Sequence, residues 1–468
     1  MSGSEDYQVI VVGGGLAGLT AAGRLSELGV RAMVLEKGEG DYPCNSRFTG
    51  GAFHICFRSI TNDAGMLADK IRATVPEAPS PALAQTVAED GRRVVRWLQS
   101  QGVRFLKGGP DEWQQWMLAP PSLVRPGLNW RGRGGDVTLR TMRANLEARG
   151  GTLRERTTAV ELMMRDGACV GVVAEIDGHR IELAAEAVVL ADGGFQGNLE
   201  MVGRHISPRP ERLRQRGAGT GNGDGIRMAQ AAGAQLVGMN FCYGHVLHRD
   251  AMTNPNLWPY PIMDHVAAAS IVVDGSGRRF MDEGLGGVSM TNGIAGLNDP
   301  LSSFAIFDEA IWNGPARDFI LSANPNLQVA GGALVSASDL ASLATAAGLP
   351  ATALAETVAA YNRAVDEGTT DRLEQPRTAS AYRPWPIRVA PFHAAPLAAG
   401  ITYTMGGIAI DTASRALDTE GRPIPGLYAA GCTTGGLEGG TNAGYVGGLV
   451  KSGVSALRAA ESIAGSRA

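Results

Sequence analysis

Apolar positions fall into short uninterrupted runs, divided by glycine-rich turns and by segments with helical spacing. The run from Tyr7 to Val12 closes on Ile10, Val11 and Val12, which predicts a strand buried on both faces, as in a parallel sheet. Between Leu16 and Leu28 apolar residues recur at steps of three and four, predicting a helix that Gly29 terminates, and Val30 to Leu35 predicts a second strand ending at Glu36. Ala187 to Leu190 is another apolar strand running into the turn Asp192-Gly193-Gly194, Gly219 to Gly225 opens a helix at Ile226, and Pro423 to Gly426 turns into the strand Leu427 to Ala430. Strands alternating with helices in this way specify the α/β class. In the middle of the chain, Ser270 to Val273, the turn Asp274 to Gly277 and Arg279 to Met281 predict a hairpin. Ser338 to Ala347 and Ala351 to Asp366 predict two alanine-rich helices, and the polar stretch Thr369 to Arg383 predicts a returning loop. No internal repeat or low-complexity tract interrupts the pattern.

The first turn carries the most informative chemistry. Gly13-Gly14-Gly15-Leu16-Ala17-Gly18 is G-x-G-x-x-G placed between a strand and a helix. The first glycine permits the tight turn, the second lets backbone approach a pyrophosphate, and the third allows the helix to pack on the strand. Unpaired N–H groups at the helix start then face the phosphates. Glu36 ends the second strand at the place where an acid accepts hydrogen bonds from a ribose. The order strand, motif, helix, strand, acid predicts a dinucleotide site.

Composition narrows the class. A chain of 468 residues is long enough for two or three domains. Its 64 glycines are about twice the usual share, which implies many close backbone approaches, since apolar residues at 44% rule out a disordered chain. With 42 basic against 46 acidic residues the net charge is −4, and no polybasic field exists to hold nucleic acid or an anionic membrane. Five scattered cysteines without C-x-x-C fit neither a disulfide framework nor a zinc site, so a reducing cytoplasm is expected. The first six residues lack the features of a signal peptide, and no apolar run is long enough to span a bilayer, so neither secretion nor membrane insertion is expected.

The strand ends at Ala187 to Phe195 and Pro423 to Gly431, with the Gly219 to Gly225 turn, resemble the FAD-dependent succinate dehydrogenase and fumarate reductase flavoprotein family. Asn45-Ser46-Arg47-Phe48-Thr49-Gly50-Gly51, Arg278 to Glu283 and Thr404-Met405-Gly406-Gly407 extend the resemblance over most of the chain. It implies FAD, held by Gly13, Gly15, Leu16, Ala17, Gly18, Glu36, Lys37, Asn45, Ser46, Thr49, Gly50, Gly51, Ala191, Gly193, Gly194, Asp224, Gly431, Gly447, Leu449 and Val450. Covalent members attach flavin through a His where this chain has Asn45, so the FAD is expected to be non-covalent. Because flavin motifs lie at both ends, the resemblance implies a Rossmann-type FAD-binding domain from residues 1–240 and 385–468, with an inserted α+β substrate-capping domain over 241–384.

The resemblance also implies hydride transfer between flavin and a carbon beside a carbonyl or carboxylate, with a proton exchanged at the adjacent carbon. Three groups of a dicarboxylate site, the Arg donor, the His and the clamping Arg, are replaced. The Arg donor expected four residues after Glu283 is Gly287, the His before T-M-G-G is Tyr403, and the H-G-A-N-R stretch begins at Glu438 and has Ala443 for its Arg. Fumarate is therefore not the expected substrate. Asn45 to Phe53 is similar to tricarballylate dehydrogenase-like flavoproteins, while Thr441-Asn442-Ala443-Gly444 stands where ketosteroid dehydrogenases have T-Y-P-G. The expected function is an FAD-dependent dehydrogenase or desaturase of a cyclic ketone or enone, with Tyr403, Tyr445 and Asn442 as candidates for carbonyl polarisation or proton transfer. A carboxylic acid enzyme, its substrate clamped by Arg131 and Arg133, is the alternative, and a flavoprotein without redox chemistry a third reading. The partners expected are a small-molecule substrate and an electron acceptor that the sequence leaves unknown. His245 and His248 invite a metal reading on one helical face, but no third ligand has suitable spacing. Trp113, Trp116, Trp130, Trp258 and Tyr260 suit an apolar or cyclic substrate, or simply packing.

Overall fold

The structure is a computed structural model that describes residues 7–77, 80–319 and 321–467; the reading made from the first six residues lies outside them. Val9–Val12 is wholly buried within a six-stranded sheet. It runs parallel to Ala187–Leu190 on one side and Ala32–Leu35 on the other, with Val9 opposite both Ala187 and Ala32. Thr152–Arg154 extends the sheet beyond Ala32–Leu35, Pro423–Ala429 extends it beyond Ala187–Leu190, and Arg415–Leu417 closes that edge antiparallel. These inner strands are covered on both faces, which is why they read as unbroken apolar runs. The helix Leu16–Glu27 buries Leu16, Leu19, Ala21, Ala22 and Leu25, and the last helix, Gly448–Gly465, packs against it. A Cβ on Gly18 would stand 1.9 Å from the Gly13 carbonyl oxygen, so only glycine allows this helix its close seat. Chain connections leave the central strand on both sides, and a crevice opens at the carboxyl ends where they diverge.

A second sheet is organised on the 13-residue strand Phe392–Thr404. Arg214–Gln215 runs parallel to it, while Cys242–His248, Phe304–Asp308 and Val335–Ala337 pair with it antiparallel. Ile271–Val273 lies outside Phe304–Asp308. The register sets Tyr243 opposite Tyr403, after which a bulge moves Gly244 to Ile401. Among the described residues no helix is long and apolar enough to cross a membrane.

Two local expectations change. The segment Ile271–Val273 takes Phe304–Asp308 as its partner, and the hairpin expected with Arg279 to Met281 shrinks to one bridge between Val273 and Arg279. The turn survives, with the Gly277 amide donating to Asp274 O at 3.0 Å, but Arg279 is drawn away by Glu283. His245 and His248 lie on a strand, not a helix, and His248 Nε2 bonds the Ala333 carbonyl at 2.8 Å. The alanine-rich helices form as Leu340–Ala347 and Ala351–Glu367, parted by Gly348 at φ +72°.

Glu283 joins these inner segments. It is fully buried, accepts Val272 N–H and Arg279 Nε–H at 2.9 Å each, and faces the buried Arg377 guanidinium, whose Nε lies 3.9 Å away. Removing one partner from such a network strands the other charges in apolar surroundings, at roughly 3–5 kcal/mol. Glu283→Ala is therefore expected to lower the urea midpoint of unfolding clearly, and an unchanged midpoint would contradict the assignment.

Candidate active site

At the carboxyl ends of the first sheet lies an open cleft. Its walls include Gly13, Gly15, Leu16, Ala17, Glu36, Lys37, Asn45, Ser46, Ala191, Gly193, Gly194 and Asp224, so the structure brings together most of the residues expected to hold a dinucleotide. Gly13 has φ +103°, a conformation side chains resist, and its Cβ would also strike the Ala191 carbonyl. Glu36 Oε2 accepts Gly14 N–H and Oε1 accepts Gly38 N–H, both at 2.8 Å, which holds its carboxylate at the cleft wall. Ser46 Oγ accepts Leu16 N–H at 3.0 Å, and Asn45 ties two distant segments by donating to Thr402 O and accepting from Ala218 N, each at 2.8 Å. Lys37 Nζ donates to Asp224 at 3.1 Å. Asp192 behind them has its pKa pushed up to about 6, by burial first and by the charge of Asp224 third, against the Gly225 amide that lowers it.

Gly18, Thr49, Gly50, Gly51, Gly431, Gly447, Leu449 and Val450 are not among the residues that line this cleft. Gly18 sits beneath the first helix, and a Cβ on Gly431 would press on Ala17 at 2.9 Å. Thr49 accepts the Gly51 amide, and Gly50 faces the Tyr260 hydroxyl. Gly447, Leu449 and Val450 begin the last helix, where Gly447 has φ +145° and a Cβ on it would stand 2.3 Å from His54 O. Sequence reasoning did not single out Thr157, Thr158 and Ala159, which line the cleft from the strand Thr157–Arg165, nor Gln196, whose Oε1 is buried without a partner. That orphaned acceptor, the open space at Gly15 and the helix start beside it fit a large polar cofactor.

Residues 8–449 match the model of the FAD binding domain family. The chain belongs to that family.

Among relatives in this family, the chain is 27% identical to a vinyl phenol reductase of Lactiplantibacillus plantarum, covering 93% of this chain and 92% of that protein. It is 25% identical to a cytochrome-type fumarate reductase of Shewanella frigidimarina, over 94% of this chain and 74% of the other. A 3-ketosteroid delta1-dehydrogenase from Sterolibacterium denitrificans, solved with 1,4-androstadiene-3,17-dione, shares the fold with a TM-score of 0.77 at 19% identity, over 98% of this chain and 99% of that one. This member of the FAD-binding family is an FAD-dependent oxidoreductase acting on carbon–carbon bonds. Acid precipitation is expected to release all of its yellow colour into the supernatant, since Asn45 offers no nucleophile for a covalent link; flavin left in the pellet would contradict this.

Beyond the cleft, at the start of the last helix, is a cluster of tyrosines. The Tyr403 hydroxyl donates to Glu438, 3.0 and 3.1 Å from its two oxygens. Glu438 also accepts Lys451 Nζ–H at 2.7 Å, Val446 N–H at 3.0 Å and Gly447 N–H at 3.2 Å. Burial alone would depress the Lys451 ammonium, but the Glu438 carboxylate outweighs it and holds the pKa above the ordinary lysine value. Tyr445 stacks on Tyr243 with ring centroids 4.1 Å apart, and its hydroxyl accepts Gly448 N–H at 3.4 Å. Burial, reinforced by the Glu438 charge, keeps Tyr403 and Tyr445 protonated well past the usual phenol range. His54 beside them is pushed down to about 4 by burial, and Cys432 up to about 11, so at neutral pH the imidazole is neutral and the sulfur is a thiol.

Asn442 is not brought to this cluster. Gly439 and Gly444 close a tight turn by exchanging backbone hydrogen bonds, and Asn442 is exposed at its tip. Arg131 is exposed with its guanidinium over Trp130. Gly287 follows from packing: a Cβ there would stand 1.7 Å from Asp264 Oδ2, so Asp264 fills the place of any side chain.

Proposed function

We propose that the protein moves hydrogen across the carbon–carbon bond beside the carbonyl of a cyclic ketone or enone, with residues 1–240 and 385–468 holding FAD and 241–384 capping the substrate. The observation that carries this reading is the tyrosine cluster. Aromatic faces and hydroxyls stand there, Gly287 and Ala443 contribute no cation, and Lys451 is already bound to Glu438. Burying a substrate carboxylate against these groups alone would cost on the order of 3–5 kcal/mol. A ketone needs only a neutral donor for the charge that develops on its oxygen.

Bound FAD supplies the two-electron exchange at carbon. The chain's own part is to hold the carbonyl and exclude water. Tyr403 and Tyr445 offer hydroxyls to the carbonyl oxygen, and the Tyr243 ring, stacked on Tyr445, lies beside them as a flat wall. Asn442, on its exposed turn, has no part in this reading.

A second reading, an unsaturated carboxylic acid, is favoured by Arg216. This buried guanidinium donates to Pro259 O at 3.1 Å and Thr402 Oγ1 at 3.0 Å, and its charge acts on Tyr243. Anaerobic reoxidation of the reduced enzyme separates the two. A cyclic enone is expected to reoxidise it faster than fumarate or a vinyl phenol, and faster reoxidation by fumarate would defeat the ketone reading.

A further inference from the structure

Tyr243, His245 and Asp264 form a connected line beside the tyrosine cluster. Tyr243 and His245 alternate onto the same side of the strand Cys242–His248, and the Tyr243 oxygen lies 3.0 Å from His245 Nε2. His245 Nδ1 lies 2.6 Å from Asp264 Oδ2, while the other oxygen of Asp264 accepts Val246 N–H at 2.8 Å. Asp264 is carried on the short helix Asp264–Ala269 and fills the space beside Gly287. The Tyr243 end of the line meets Tyr403 across the strands, at 5.2 Å between ring centroids, and Tyr445 by stacking. A hydroxyl, an imidazole and a carboxylate in sequence reproduce the logic of an activated nucleophile, with a phenol as the acid-base group.

We propose that Tyr243 exchanges the proton at the substrate carbon next to the one that exchanges hydride, with His245 and Asp264 as its positioning and proton-holding residues. In the dehydrogenating direction the substrate C–H bond breaks as its proton goes to the Tyr243 oxygen, and the Tyr243 O–H proton passes to His245 Nε2. The C–H electron pair would form the new carbon–carbon π bond, with bound oxidised FAD the acceptor that would take the neighbouring carbon's hydride and its two electrons. The imidazolium that results stands against the Asp264 carboxylate. In the reducing direction it returns the proton to Tyr243. Asp264 fixes the tautomer that makes this work, because an Nδ1–H held by a carboxylate leaves Nε2 bare toward the phenol.

The surroundings favour neutral resting partners. Burial raises Tyr243 above the ordinary phenol range, and burial lowers His245 below the ordinary imidazole value against the opposing Asp264 charge. Arg216 and His265 also face His245 and lower it, Arg216 and Tyr260 act on Tyr243, and Tyr382 packs at Gly286 beside Asp264. Since His245 must be neutral to receive a proton, dehydrogenation fails as pH falls through its lowered pKa.

The proposal rests on the carbon–carbon oxidoreductase reaction and is indifferent to whether a ketone or an acid is the substrate. Its test compares the FAD-loaded protein with Tyr243→Phe and Asp264→Asn. With whichever substrate turns over, Tyr243→Phe is expected to lower kcat by about 100-fold or more with KM and flavin content held. Asp264→Asn is expected to shift the acidic limb of the pH profile to lower pH and to lower the plateau by about ten-fold or more. Nitrogen-15 NMR of labelled histidine supplies a readout that needs no substrate: the His245 signal, assigned by its absence in His245→Gln, is expected to titrate below the ordinary range, as do those of His54, His205 and His248, and it alone is expected to titrate lower still in Asp264→Asn. A Tyr243→Phe enzyme within three-fold of normal with an unchanged pH profile would overturn the proposal. So would a His245 resonance that ignores the loss of Asp264, whatever the substrate screen returns.

Discussion

Gly15→Val is expected to purify colourless. Gly15 is the residue before the first helix, with extended backbone at φ −76° and ψ −173°, so valine is not barred there by backbone strain. The nearest atom to a Cβ at this position is Ser46 Oγ at 3.4 Å, an ordinary contact, which predicts a protein that still folds. What the side chain takes is the space of the cleft itself. Two methyl groups at the mouth of the helix would stand between the first-turn N–H groups and a pyrophosphate, removing the charge-assisted hydrogen bonds on which dinucleotide affinity depends. Far-ultraviolet circular dichroism should match the parent while the visible flavin spectrum is absent. Retention of stoichiometric FAD would remove the assignment of the motif.

The second large effect is expected at Tyr403. In the structure its one proton is directed at Glu438, yet Glu438 holds three further donors in Lys451 and the amides of Val446 and Gly447. The carboxylate therefore stays satisfied when the phenol turns its proton to a substrate carbonyl, and the turn costs little. A preorganised donor of this kind is typically worth about 100- to 1,000-fold in turnover. Tyr403→Phe should bind FAD and keep the ring contact with Tyr243 while kcat on the true substrate falls by that factor. Near-normal turnover would leave carbonyl recognition to Tyr445 alone.

The dinucleotide site was legible in the sequence because its parts are neighbours along the chain. Strand, glycine turn, helix, second strand and Glu36 follow one another within the first forty residues, and each local preference is satisfied by residues close by. The strand ends at Ala187–Leu190 and Pro423–Ala429 were legible for the same reason, since burial on both faces leaves an unbroken apolar run. The inner hairpin misled because local turn chemistry was present, but the competing strand Phe304–Asp308 offered a longer ladder.

The sequence by itself thus determined the class of fold, the presence of a dinucleotide site and the replacement of the family's arginine positions by Gly287 and Ala443. Only the tertiary structure decided what stands in their place. Glu438 meets Lys451 and Tyr403, Asp264 fills the volume beside Gly287, and Tyr243 reaches His245 on one side and Tyr445 on the other. Each of these contacts is set by the register of Cys242–His248 on Phe392–Thr404, by the bulge after Tyr243, or by the packing of the last helix. Strand register and helix docking are chosen by the burial of whole faces, not by the residues that meet there. A one-residue slip would send Tyr243 and His245 to the other side of the sheet, which is why residue types and spacing alone could name the cofactor but not assemble the group that handles the proton.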